Sequence, residues 1–134
     1  MNQRLLFVLT ILVSLFISND ILAQKAVNND EKPVVLFVEF EFDAKDMDQA
    51  IELLTEMQNQ TIENEEGCIA YDILLHKEQP NTIYMYECYE NNAAVKHHNN
   101  TAYFKSIVDK KLIPLIKNKK ILTLSPINEI GVMM

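Results

Sequence analysis

The order in which two hydrophobic periodicities alternate along this chain constrains its fold more than any other feature. Residues 34–42 begin as a continuous apolar run and end with apolar and acidic residues in alternation, which is typical of a strand buried at its start. Apolar residues then recur every three or four positions from Met47 to Thr61, which predicts an amphipathic helix. Two further alternating stretches, 69–76 and 82–89, are separated by the turn sequence Glu78-Gln79-Pro80-Asn81 and predict a β-hairpin.

The C-terminal third of the chain predicts a second helix and a last strand. The Asn-Asn pair at 91–92 is expected to cap a short helical turn over residues 93–95, and apolar spacing predicts a helix from Phe104 to Ile116. Pro114 should kink or restart the last turn of that helix, and residues 121–124 predict the final strand. The order β-α-β-β-α-β is that of a ferredoxin-like α+β fold, in which one antiparallel sheet carries both helices on one face. The other face of such a sheet needs a cover.

The first 23 residues are expected to be an export signal that does not belong to the folded domain. Arg4 precedes a largely apolar run of 13 residues, Leu5 to Ile17, shorter than the roughly 20 residues needed to cross a bilayer. Cleavage is expected after Ala23, which places the mature protein in the periplasm or outside the cell; an uncleaved anchor is the less favoured alternative. The chain is thereby divided into a signal, a linker, a domain and a tail: 1–23, 24–32, 33–125 and 126–134.

Charge and cysteine content narrow the partners that this chain can have. Its net charge of -7 makes nucleic acid and anionic membrane surfaces poor partners. Cys68 and Cys88 fall on neighbouring predicted strands, so a disulfide is chemically permitted in an exported chain, but free, largely buried thiols are favoured. Neither cysteine has the Cys-x-x-Cys or paired-histidine spacing of a zinc site, so no metal is expected.

Gly67 is one of only two glycines, and it separates the first predicted helix from the hairpin. A helix must stop there, and the expected reason for glycine is a turn with a positive φ that other residues resist.

An ordered set of motifs surrounds that glycine and continues to Phe104. The set comprises Glu66-Gly67-Cys68-Ile69-Ala70-Tyr71, then Tyr86-Glu87-Cys88-Tyr89-Glu90-Asn91, then Ala94, His98, Thr101 and Phe104. This order and spacing resembles the antibiotic biosynthesis monooxygenase (ABM) family, whose members typically show a Glu-x-Gly-Cys-like turn with a Tyr, a Glu-x-Trp strand end and a His on the following helix. The resemblance implies a dimeric α+β barrel, in which two sheets pack together, and therefore a homodimer.

The resemblance also implies an activity. Enzymes of this family oxidise quinols or polycyclic phenols with O2 and without metal, flavin or haem, because the substrate itself supplies the electrons. The expected partners are a small aromatic substrate and O2, with no cofactor. Haem ligation is disfavoured, because Glu39 or Glu41 and Val108 stand where a haem-degrading branch of the superfamily has Asn and His. Two alternatives remain open: a non-catalytic small-molecule-binding dimer of the same fold, and an enzyme that isomerises or processes a small hydroxyketone signal.

Three residues are the catalytic candidates that the resemblance implies. His98 matches the family's helix histidine and could accept a phenolic proton, since an imidazole with a pKa near about 6.5 is neutral at working pH. The alternative for His98, held about even, is a purely structural histidine bonded to a backbone carbonyl or to solvent. Glu87 and Tyr89 share one face of a strand, where Glu87 either orients His98 or, as favoured, is a buried paired carboxylate. Tyr89 departs from the Trp that the family usually has.

Tyr71, Tyr103 and Phe104 are the predicted substrate-binding residues. Tyr71 falls on the inward side of its strand, where an aromatic ring is more often plain core. Tyr103 stands where some family members have a second His. Tyr84 and Tyr86 should face away from Glu87, where contacts with a second subunit are expected.

Overall fold

The computed structural model describes residues 32–127, which form a four-stranded antiparallel sheet and the helices that pack on it. The strands are β1 (Val34–Phe42), β2 (Cys68–Leu75), β3 (Thr82–Tyr89) and β4 (Ile116–Leu124). The helices are α1 (Met47–Asn64), α2 (Asn92–Asn100) and α3 (Ala102–Phe104), which is a single turn that continues as a π-helix (Lys105–Leu112). Short 3₁₀ turns, Ala44–Asp46 and Ile113–Leu115, precede α1 and β4. The predicted signal (1–23), the linker up to residue 31 and the tail from residue 128 lie outside the described residues.

The strand order in the sheet is β2-β3-β1-β4, and all neighbours are antiparallel. The two strands adjacent to β1 are thus the third and the fourth along the chain, and the hairpin partner β2 lies at an edge. Val38 in the middle of β1 pairs with Met85 on one side and Ile121 on the other. This topology confirms the predicted ferredoxin-like α+β fold.

The hydrophobic core lies between one face of the sheet and the helices. Alternate residues of β1 point into it, and Val38, Phe40 and Phe42 are buried. The predicted stripe on α1 covers them, since its buried side chains recur at three- and four-residue spacing: Met47, Ala50, Leu53, Leu54, Met57 and Thr61. The side chains of β3 that continue this face include Met85 and Glu87, so the sheet brings a carboxyl group into an otherwise apolar layer.

Gly67 occupies the predicted turn, but the expected reason for glycine there was wrong. No described residue of the chain, Gly67 included, has a positive φ. A Cβ on Gly67 would instead lie 2.7 Å from the Cβ of Ala94 on α2, closer than two carbon atoms can approach without displacement. The glycine is therefore required by the close approach of α2 to the turn, and its backbone oxygen accepts a hydrogen bond from the Glu90 N–H at 2.9 Å.

Replacing Gly67 with alanine should lower the free energy of unfolding by about 1 to 3 kcal/mol, the usual effect of forcing a methyl group into a filled space. Chemical denaturation measures this change. The same substitution in an Ala94→Gly background should have little effect, because the clashing methyl group is then absent. Equal losses of stability in the two backgrounds would contradict this explanation of Gly67.

The segment between β3 and β4 differs from the sequence-based expectation in length and in helix type. The helical turn predicted over residues 93–95 is a nine-residue helix, α2, whose N-cap Asn91 accepts a hydrogen bond from the Ala94 N–H as predicted. Thr101 is extended and interrupts the helix, and its hydroxyl accepts from the Phe104 N–H to start α3. The helix predicted from Phe104 onward is mostly a π-helix, and Ile116 belongs to β4, not to that helix.

Strand β4 begins five residues earlier than predicted, at Ile116 in place of 121. Its first half reads Ile116-Lys117-Asn118-Lys119-Lys120, which lacks the apolar alternation of a half-buried strand. The backbone pairs with β1 nevertheless, and β4 is an edge strand whose side chains are nearly all exposed. Lysines suit an edge strand because they oppose pairing with other chains.

Candidate active site

A cavity of about 190 Å³ lies between the core face of the sheet and the helical segment that follows β3. Its walls are mainly apolar, and the polar side chains that reach it are His98 and Glu87 together with Asn99, Asp109 and Lys119. Apolar side chains from all four strands and from the helices complete the lining, among them Leu36, Leu54, Tyr71, Met85, Phe104 and Ile121. The chamber thus combines an apolar interior with two buried ionisable groups.

The π-helix forms one wall of this cavity through Val108, Asp109 and Leu112. Its hydrogen bonds run between residues five apart, as the Ile113 N–H donating to the Val108 carbonyl illustrates. Such a wider turn is rare and often occurs at functional sites, because it shifts the side chains that follow it. Ile107 and Leu112 still point into the core as the apolar spacing predicted.

His98 lies on the inward side of α2 and is only 1% exposed. Three aromatic rings surround the imidazole, with centroid separations of 5.8 Å to Tyr71, 5.2 Å to Tyr89 and 5.1 Å to Phe104. Burial lowers the pKa of His98 below its ordinary value, although the adjacent Glu65 carboxylate opposes that shift. The neutral imidazole, which is the form able to accept a proton, is therefore favoured at neutral pH.

Glu65 is the main partner of His98 and was not among the residues predicted from the sequence. Its two carboxylate oxygens lie 2.9 and 3.1 Å from His98 Nδ1, and the Tyr103 hydroxyl donates to Oε1 at 2.5 Å. The residue is 6% exposed, although it follows directly after the last residue of α1. A signal was present, because the family's Glu-x-Gly-Cys spacing places its glutamate at Glu65 and not at Glu66.

Glu87 and Tyr89 approach His98 from β3, on the side opposite Glu65. The Tyr89 hydroxyl donates to Glu87 Oε2 at 2.8 Å, and the same oxygen lies 3.9 Å from His98 Nε2. Burial raises the pKa of Glu87 to about 7; the hydrogen bond from Tyr89 opposes this shift, and the negative charge of Glu65 adds to it. Glu87 can therefore hold a proton at neutral pH.

The comparison with known protein families decides the assignment of this arrangement. The family model of the antibiotic biosynthesis monooxygenases matches residues 33–110, more than half of the 134-residue chain. The chain belongs to this family. Within the matched residues, Tyr71, Glu87 and His98 line the cavity, and Glu65 contacts His98 from outside the lining.

Solved structures show the same fold. A "putative antibiotic biosynthesis monooxygenase" from Caulobacter crescentus CB15 is 19% identical with a TM-score of 0.70, over 75% of this chain and 94% of its own. Another of that name from Bacteroides thetaiotaomicron VPI-5482 is 22% identical with a TM-score of 0.70, over 78% and 98%. A third, from Nitrosomonas europaea, is 20% identical with a TM-score of 0.69, over 75% and 96%. No curated protein matches the chain.

Of the six residues predicted for this monooxygenase-family site, four line the cavity and two do not. His98, Glu87, Tyr71 and Phe104 line it. Tyr89 is fully buried behind Glu87, so its hydroxyl serves that carboxyl group and is not directed at the cavity. Tyr103 lies outside the lining and contacts Glu65 instead.

Two further properties of residues 32–127 bear on the site. No group of three or more His, Cys, Asp or Glu side chains in this range is arranged to hold a metal ion. None of the helices in the same range is long and apolar enough to cross a membrane.

The two cysteines are free thiols, as the sequence favoured. Burial, with a smaller contribution from the Glu65 charge, raises the pKa of Cys68 to about 12, so it stays protonated. Its thiol points back to the Ala70 carbonyl oxygen at 3.5 Å. Cys68 is thus a packing residue beside the site.

Proposed function

We propose that the protein is an exported, cofactor-independent monooxygenase that oxidises a small quinol or phenol with O2. The observation that carries this proposal is a buried imidazole, His98, whose Nε2 side faces Glu87 at the end of an apolar cavity. An aromatic alcohol in that cavity would place its hydroxyl group next to a neutral base. Membership in a monooxygenase family supports the reaction class.

The proposed reaction begins when His98 Nε2 accepts the proton of the bound hydroxyl group. The phenolate gives one electron to O2, and the resulting phenoxyl radical and superoxide join by forming a C–O bond at a ring carbon that carries hydrogen. His98 returns its proton to the peroxide. The O–O bond then breaks with loss of water, and the ring carbon becomes a carbonyl. One phenol and one O2 thus give one quinone and one water, with all electrons supplied by the substrate.

The cavity limits the size of the substrate. A chamber of about 150 Å³ holds a benzene molecule in other proteins, and the cavity here measures about 190 Å³. It therefore suits one aromatic ring with small substituents better than a polycyclic phenol. Asp109 and Lys119, which reach the lining from the π-helix and β4, can receive polar substituents of such a ring.

Oxygen uptake by the purified protein tests the proposal. We expect turnover with reduced single-ring quinones, weaker turnover with two-ring quinols and none with three fused rings. A saturable rise in Tm with quinones but no oxygen uptake with any quinol would indicate a non-catalytic binding protein of the same fold. Conversion of a small hydroxyketone in place of oxygen uptake would indicate an isomerase or processing enzyme.

We also propose a homodimer that forms through the face of the sheet opposite the helices. That face carries Phe37 stacked on Tyr84, with ring centroids 5.3 Å apart. Four apolar side chains around this pair are 36% to 47% exposed in the single chain: Leu74, Tyr86, Leu122 and Leu124. A second sheet packed on this face would remove them from water.

Light scattering at micromolar concentration should give twice the mass of one chain. Changing Leu122 to Lys should shift the protein toward monomer, because it places a charge beside Phe37 on the proposed interface, whereas Ile62→Lys on the exposed side of α1 should not. A wild-type monomer would contradict the proposed dimer.

A further inference from the structure

The backbone of Glu65 is fixed on both sides of the residue. Its N–H donates to the Thr61 carbonyl at 3.0 Å, and its own carbonyl accepts from the Cys68 N–H at 3.1 Å. The turn that follows is pressed against α2 at Ala94. Glu65 thus reaches His98 from a turn whose backbone is hydrogen-bonded on both sides.

The contacts of the Glu65 carboxylate determine how His98 carries its proton. The side chains of Glu65 and His98 are each only 2% exposed. An ionised carboxylate can only accept hydrogen bonds, so Nδ1, at 2.9 Å from Oε1, has to supply the hydrogen. A neutral imidazole with its proton on Nδ1 keeps a lone pair on Nε2, the atom on the side of Glu87 and the cavity.

We propose that Glu65 is the positioning residue of His98: it holds the imidazole in the Nδ1–H tautomer and aims the unprotonated Nε2 at the cavity. This inference rests on the proposed function for its catalytic meaning, but the tautomer is a property of the resting protein. Glu65 is not among the residues that line the cavity, so it acts on a substrate only through His98. Tyr103 donates to the same carboxylate and keeps it oriented.

Nitrogen-15 NMR of the imidazole rings tests the tautomer without any substrate. The wild-type protein should show His98 with its proton on Nδ1 and an unprotonated Nε2 at pH 7 to 8. Glu65→Met, which removes the acceptor and keeps the length of the side chain, should lose this preference, whereas Tyr103→Phe should retain it. A wild-type ring protonated on Nε2 would overturn the proposal even if the methionine variant fails to fold. A Glu65→Met protein that keeps the Nδ1–H tautomer would also overturn it.

Kinetics of Glu65→Gln separate positioning from simple structural support. The amide can present either its oxygen or its NH2 group to Nδ1. If the NMR spectrum shows the Nδ1–H tautomer, kcat should stay within tenfold of wild type; if it shows the Nε2–H tautomer, kcat should fall by about 10- to 100-fold. KM should change little in either case, because Glu65 does not line the cavity. If the tautomer and kcat vary independently, Glu65 is not the positioning residue of His98. A wild-type protein without oxygen uptake would refute the proposed function and leave the tautomer result standing.

Discussion

Replacing His98 with asparagine is expected to lower kcat/KM for a single-ring quinol by about 10²- to 10⁴-fold, the usual contribution of a general base. Asparagine keeps an amide nitrogen near the position of Nδ1, where it can still donate to Glu65, but it has nothing at the position of Nε2. The substitution therefore removes the base and leaves the buried carboxylate with a donor. Initial rates of oxygen uptake measure the effect.

Two controls keep this result specific. The rise in Tm on binding a quinone should be the same in the His98→Asn variant and in the wild type, since the apolar lining is unchanged. His97→Asn, on the neighbouring exposed residue of α2, should leave kcat/KM unaltered. Oxygen uptake that survives in His98→Asn at more than a tenth of the wild-type rate would show that His98 is a structural histidine.

Glu87 gives the second large effect, on stability as a function of pH. Its pKa is raised from 4.5 to about 7, mainly by burial, so the folded protein binds a proton more tightly than the unfolded chain. The sign follows from linkage: stability is highest below the unfolded pKa and decreases as pH rises from about 4.5 to about 7. Relative to Glu87→Gln, which has no proton to lose, the wild type should lose about 2 to 3 kcal/mol over this range.

Chemical denaturation of the two proteins at several pH values measures this difference. Tyr89→Phe is a second variant for this test. The tyrosine hydroxyl lowers the pKa of Glu87, so its removal should move the pH-dependent loss of stability to higher pH. A wild-type stability that runs parallel to that of Glu87→Gln from pH 4 to 8 would contradict the buried, protonated state of Glu87.

The ionisation of Glu87 should also change the rate of the proposed reaction. Above pH 7 an ionised Glu87 would place a negative charge 3.9 Å from His98 Nε2, beside the phenolate that the reaction needs. We therefore expect kcat/KM to decrease above about 7 in the wild type and to stay level there in Glu87→Gln.

The sequence was sufficient for the fold wherever apolar spacing was regular. The alternation on β1 and the stripe on α1 both indicate the face that the structure buries. The sequence-based prediction was wrong in part between Phe104 and residue 120. A π-helix places side chains at a period that resembles an irregular α-helix, and an edge strand needs no apolar alternation.

For the site, the family motif led to His98 and Glu87 but not to the carboxylate that contacts the imidazole. A glutamate at the end of an acidic helix is usually solvated, and only the tertiary approach of α2 to the turn at Gly67 buries Glu65 against His98. Tyr89, a catalytic candidate from the sequence, is fully buried and donates its hydroxyl to Glu87, because β3 turns both side chains to the same face.

The most direct test of the central claim is to follow labelled oxygen, ¹⁸O2, through a single turnover of the purified protein with no added metal, flavin or haem. With a single-ring phenol that binds in the cavity, we predict one labelled atom in the quinone product and one in water, in equal amounts, and neither in His98→Asn. Quinone that contains no label, or label that appears only as hydrogen peroxide, would contradict a monooxygenase reaction at this site.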